Sequence, residues 1–290
     1  MKAVLSQTIF ANVATLPEEA QNDGVVPKLP ILKEDEYPPN DRPVADMDSN
    51  GWPATGRNNA LRAIRKGFAV HIAGDQHLGS TIQYGVEDFG DAGFAICVPS
   101  IGNFWPRRWF PIDCGDNRSI DGPCYTGDFE DGFGNKITVH AISNPHQTDR
   151  EPKELHQKAN GYGIVKFNKT TRKIQMENWP RWANPEIDEP YFGWPVSLNQ
   201  EENFGKKAFG YIANLEIEGI EKPVIQVLNQ YSLEIVYSIR LNQSNYLAKV
   251  FEDGIYRIQI GDPDKDFWQE FMDLKPEKNQ ENVQKIKVTF

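Results

Sequence analysis

Residues 55–75, TGRNNALRAIRKGFAVHIAGD, constrain the fold more than any other stretch of the chain. Leu61 and Ile64 fall three apart beside Ala60, which gives one apolar helix face. Arg62, Arg65 and Lys66 load the last turn, where cations complement the helix dipole, and Gly67 suits the position just past a helix end. FAVHIAGD then reads as a strand that is apolar on both faces apart from His71. Such a strand belongs in a sheet covered on both sides. A helix, a glycine turn, a doubly buried strand and a polar loop thus follow one another. In layered folds of this kind, functional residues gather at strand C-terminal ends.

Other segments extend this pattern. Ala3 to Val13 reads as a buried strand, and GFAICVPSI and KITVHAIS as two more. GYGIVKFNKTTRKIQMENW reads as a hairpin whose two alternating runs meet at NKTTR. From Leu16 to Met47 the chain is rich in Pro, Glu and Asp, has no clear period and reads as a long loop. Near Phe204 the texture changes to short strands with turn residues between them, as in a small β-sandwich. The tail FWQEFMDLKPEKNQENVQKIKVTF reads as a short helical stretch, a charged linker and a last strand. The expected organisation is a mixed α+β domain over residues 1–203, with layered sheets flanked by helices, followed by a small all-β sandwich and tail over residues 204–290.

The formal net charge of −10 argues against nucleic acid as a general partner, because an acidic surface repels phosphate backbones. Phosphate ester chemistry stays open if metal ions supply local positive charge. No run reaches the ~18 apolar residues of a membrane span, and the N-terminal apolar run is too broken for a signal peptide. Of the three cysteines, Cys97 lies in an apolar run and reads as a buried, inert thiol. Cys114 and Cys124 bracket a Gly- and Asp-rich loop and could pair, but the odd count and the lack of a secretory segment make that a weak reading.

The chemistry-bearing candidates cluster around Gly74-Asp75-Gln76-His77. A carboxylate and an imidazole two apart, at the mouth of a buried strand, point to the same side of an extended backbone. Both are good ligands for Zn, Mn or Fe. A polar loop after a strand explains the same residues without any metal, and by residue type alone it is the commoner case. Asp46 and Asp48 stand upstream in a Gly/Pro/Trp-rich loop. Downstream, Arg107 and Arg108 sit between Trp105 and Trp109, and paired arginines can clamp a phosphate, stack on aromatic rings or form salt bridges. His71 and His140 face into strands and read as core histidines.

Taken together, DMDSNGWPATGRNNALRAIRKGFAVHIAGDQHLGSTIQYG resembles the C-terminal catalytic segment of the alkaline phosphatase D-like (PhoD-like) metallophosphatases. The likeness continues through CVPSIGNFWPRRWFP, YTGDFEDGFGNKITVHAISNP and LHQKANGYGIVKFNKTTRKI, over roughly residues 1 to 200. The resemblance implies a metallophosphoesterase fold of packed sheets flanked by helices. It implies hydrolysis of small phosphate mono- or diesters by a metal-bound water, with Ca, Fe, Mn or Zn as the metal. Asp75 and His77 carry over as catalytic residues and metal ligands, Asp48 as a further ligand, and Arg107 and Arg108 as substrate-binding residues. Family relatives are often exported.

The likeness stops at the family's C-terminal half. The motifs that supply most of its metal shell are an early Asp-x-His strand end, a Gly-Asp-x-x-Asp and a Gly-Asn-His. GDPDKD at Gly261 and GDFEDG at Gly127 fall in the wrong order, and the GN pairs at Gly102 and Gly134 lack the following His. The chain alone is therefore expected to hydrolyse aryl phosphates slowly or not at all. A complementary N-terminal half or self-association is expected to cover the faces around residues 3–13 and 68–73, unless the 16–47 loop folds back over them. A non-catalytic remnant or subunit is the alternative function, and a carbohydrate-binding or surface β-protein is a third.

Overall fold

A computed structural model describes residues 1–22, 27–45, 53–102 and 105–290. Among them the chain is rich in β-strand and poor in helix, with several separate sheets. It divides into two compact units. The larger holds residues 3–62 and 70–205, and the smaller holds 1–2, 63–69 and 206–290.

The larger unit is built on a six-stranded mixed sheet. Its strands are β1 (Ala3–Leu5), β4 (Val70–Ala73), β5 (Ser80–Tyr84), β6 (Phe94–Cys97), β7 (Gly127–Glu130) and β8 (Lys136–Ile142), in the order β1-β4-β6-β5-β8-β7. β1, β4 and β6 run parallel, β5 is antiparallel to β6, and β8 is antiparallel to β5. The C-terminal ends of β4, β6 and β8 therefore lie along one edge. A hairpin ladder joins β2 (Thr15–Pro17) to β3 (Asp41–Pro43). β9 (Gly161–Phe167), β10 (Lys173–Pro180) and β11 (Val196–Asn199) make a separate antiparallel sheet, and the β9–β10 turn falls on NKTTR as the alternation predicts. The described helices are α1 (Ala54–Arg65), the four-residue α2 (Lys153–His156) and short 3-10 turns. None is long and apolar enough to cross a membrane.

The N-terminal strand is shorter than the sequence suggests. β1 ends at Leu5, which is 75% exposed on the edge strand, yet Ile9, Ala11 and Val13 are buried without being strand. They join Leu61 of α1 and Ile82, Trp109, Ile137 and Val139 in one core cluster. Their backbone is covered by the chain's own segment, since the Val44 N–H donates to the Ala14 carbonyl at 3.1 Å and the Asn12 side chain donates to the Val44 carbonyl. Burial, not alternation, fixes this stretch, and an apolar run reads the same either way.

The inner side of α1 also departs from expectation, because Arg57 lies four residues before Leu61 and is 2% exposed. Its guanidinium donates to the carbonyls of Phe10 (2.7 Å) and Gly85 (2.9 Å) and to the Asn58 side chain. It also lies 5.6 Å from the centroid of the Tyr84 ring. A cation otherwise too costly to bury is held by carbonyl acceptors.

His71 is a core histidine, fully buried, with Ser6 Oγ 2.6 Å from Nε2 and Tyr84 Oη 2.8 Å from Nδ1. Burial lowers its pKa to about 4. His140 on β8 stacks on Phe94 at 4.9 Å, and burial lowers its pKa to about 4 as well. Cys97 is a buried free thiol. Cys114 and Cys124 are joined by a disulfide, and the Gly115 N–H donates to the Cys124 carbonyl at 3.0 Å, closing the same loop.

The smaller unit is all β. β12 (Gly210–Glu218) pairs with β15 (Asn245–Val250) and β18 (Lys285–Thr289), and β13 (Val224–Asn229) pairs with β14 (Ile235–Arg240) and β16 (Tyr256–Asp262). Alternate residues of both sheets are buried, and the hydroxyls of Tyr237 and Tyr246 meet at 3.4 Å between them. The tail segment expected to begin as a helix is instead β17 (Phe267–Leu274), paired with β16. Its local pattern suits a helix, but sheet pairing with β16 overrides that preference.

Candidate functional site

The Gly74–Gly79 loop leaves β4 at the sheet edge where β6 and β8 also end. Asp75 and His77 both adopt the left-handed backbone region, with φ of 68° and 55°. Non-glycine residues pay about 1–3 kcal/mol each to sit there, and Asp, Asn and His tolerate it best. Gln76 lies between them and is 1% exposed. Its amide donates to the Ala11 carbonyl (2.5 Å) and to Thr8 Oγ1 (3.1 Å), and its Oε1 accepts from the Val13 N–H (3.3 Å). The buried glutamine acts as the peg that holds the turn, with Asp75 exposed and His77 half-buried on either side of it, and the left-handed residues replace the extended backbone expected for this pair. Gly79 closes the loop against β8, where an added Cβ would meet Ser143 Oγ at 2.6 Å.

Asp75 is exposed, and its Oδ2 accepts from the Gln7 amide at 3.0 Å. His77 is half-buried, and its Nδ1 accepts the Trp105 backbone N–H at 3.2 Å. In the neutral ring this bond places the proton on Nε2, so His77 presents an N–H rather than a lone pair on that side.

The two arginines separate, as consecutive residues of an extended segment do. Arg107 turns toward the loop, with Nη1 3.5 Å from Gln76 Oε1. Arg108 turns the other way into a buried pair with Asp41, with Nε–Oδ2 and Nη2–Oδ1 both at 2.7 Å and both side chains at most 3% exposed. Its remaining nitrogen donates to the Pro30 carbonyl at 3.0 Å. In this arrangement Arg108 is committed to the fold, and Arg107 alone stands behind the Asp75–His77 turn. Asp46 and Asp48 lie outside the described residues.

Among the described residues no three His, Cys, Asp or Glu side chains are grouped so as to hold a metal. Asp75 is one carboxylate donor, and His77 in this tautomer is a hydrogen-bond donor. Structural zinc takes four ligands and calcium six to eight, so the described residues alone do not complete a shell. Sequence reasoning singled out Asp75 and His77 but passed over Gln76, the residue that positions both. Its only signal was its place between two candidates.

No protein-family model, curated protein or solved structure matches the chain.

Proposed function

We propose that this sheet edge is the substrate-binding wall of a metal-dependent phosphoester hydrolase of the alkaline phosphatase D-like kind. The observation that carries the reading is the locked turn in which two left-handed residues, Asp75 and His77, flank a buried glutamine at the end of β4. Backbone strain of this type persists where the surroundings over-determine it, and it concentrates at functional sites. The resemblance in the order of sequence motifs supports the chemical class, and the metallophosphoesterase-like layered fold is part of the same proposal.

A bound di- or trivalent ion supplies Lewis-acid activation of the attacking water in such chemistry. Asp75 would hold one edge of it, and Asp48, which lies outside the described residues, is assigned as a further donor. His77, whose Nδ1 accepts the Trp105 N–H, would offer its Nε2–H to a phosphate oxygen. Arg107 adds positive charge behind the turn, which favours an anionic substrate without direct contact. Hydrolysis breaks the P–O bond to the leaving group as water adds to phosphorus, and the leaving oxygen takes up a proton.

Asp75→Asn and His77→Asn test the assignment, because Asn keeps the left-handed backbone available. Calorimetric titration with inorganic phosphate in the presence of Mn2+ is expected to show binding that weakens about tenfold in each variant, the scale of a lost charge-assisted hydrogen bond. Unfolding midpoints are expected to stay near the parent's. Phosphate affinity unchanged in both variants, or no Mn2+-dependent phosphate binding by the parent, contradicts the proposal.

A further inference from the structure

A cavity of about 330 Å3 opens beside the last residues of β8, with Ile142 and Ser143 in its lining. It lies on the same sheet edge as the Asp75–His77 turn, three strands away in the order β4-β6-β5-β8, or roughly 14 Å at about 4.8 Å per strand. The two are also joined more directly, since the Ser143 N–H donates to the Gly79 carbonyl at 2.8 Å.

The walls combine two kinds of group. Tyr37, Phe110 and Tyr125 form an aromatic cluster, with centroids 5.3 Å apart for Tyr37–Phe110 and 5.9 Å for Phe110–Tyr125, and Phe192 adds a 72% exposed ring at the rim. Glu34, Asp35 and Asp121 bring three exposed carboxylates. The lining has one ammonium, Lys33, whose Nζ lies 3.6 Å from Glu36. Burial, then Tyr37 and Glu34, pushes the Tyr125 hydroxyl up to about 12. Burial and Asp35 raise Tyr37 against the opposing backbone hydrogen bond from Cys124. The Cys114–Cys124 disulfide closes the loop that carries Asp121 and Pro123, so this wall is held in place.

Aromatic rings beside carboxylates, in a cavity of small-molecule size, select a cation over an anion or a neutral polyol. We infer that this cavity is a binding site for a small organic cation, an alkylammonium group of the choline type. The inference goes beyond the proposed hydrolysis and does not need it, because binding is read directly and the phosphate test above uses other residues.

The experiment is calorimetric titration of the full chain with choline, its neutral isostere 3,3-dimethyl-1-butanol, and glucose. Choline is expected to bind saturably and the neutral isostere about tenfold more weakly, a ratio within the range of a desolvated cation–π and carboxylate contact. The exposed-rim triple variant Glu34→Gln/Asp35→Asn/Asp121→Asn is expected to lose about tenfold in choline affinity. Tyr125→Leu is a second variant for the aromatic wall, with its fold checked by an unchanged far-ultraviolet circular dichroism spectrum. Equal binding of choline and the isostere, no saturable choline binding, or binding of glucose alone overturns the inference.

Discussion

Arg108→Leu is expected to destabilise the larger unit by about 3–5 kcal/mol, the cost of leaving a buried carboxylate without its partner. Asp41 is 0% exposed, and its two oxygens receive Arg108 Nε and Nη2 at 2.7 Å, with Thr15 Oγ1 donating at 3.0 Å. Thr15 in turn accepts the Phe110 N–H at 2.9 Å and donates its own N–H to the Arg108 carbonyl at 2.8 Å. The pair thus ties β2, β3 and the segment through Arg108 at one point. The double variant Asp41→Leu/Arg108→Leu is expected to recover most of the loss, since replacing both members of a buried pair with apolar residues is often near neutral. Urea unfolding of the parent and the two variants measures this. A single-variant loss below about 1 kcal/mol would show that Asp41 finds another partner or water.

Acid is expected to weaken the fold well before the carboxylates titrate. His71 is held neutral by burial, with its pKa near 4 against an ordinary 6.5. Because its folded pKa is depressed, the unfolded chain binds the proton first. The neutral-ring contribution is therefore complete above pH ~6.5 and is lost as the pH falls toward the folded value. The full difference is on the order of 3 kcal/mol, with roughly 2 kcal/mol gone by pH ~5. His140, lowered in the same direction by burial, adds to the loss. Unfolding free energies from pH ~7 to pH ~5 are expected to fall steadily in the parent. His71→Gln should be less stable at neutral pH and show a shallower slope. A variant slope as steep as the parent's would remove His71 from the account.

The sequence made some of these features legible and hid others for identifiable reasons. β4 and the turn after it were readable, because a doubly apolar strand bounded by glycines has few other solutions. The β9–β10 hairpin was readable from its alternation and its polar turn. The Arg57 burial was not, since a cation on the inner face of α1 depends on the Phe10 and Gly85 carbonyls from distant parts of the chain. Nor was the division of labour between Arg107 and Arg108, which rests on Asp41, sixty-seven residues before Arg108. The cavity gathers Asp35, Phe110, Asp121 and Ser143 from four separate segments, and no local pattern marks them as neighbours. β17 reads as helical because local preference says little about a strand whose partner, β16, decides its state.

Paramagnetic broadening of assigned backbone amides locates Mn2+ in the presence of phosphate. Broadening is expected to begin at Gly74–Leu78 and at Trp105–Arg107, and Asp75→Asn is expected to weaken it there. Broadening centred on Glu34, Asp35 and Asp121, or spread evenly over exposed carboxylates with no focus on the β4 turn, would contradict the placement of a phosphoester site at Asp75 and His77.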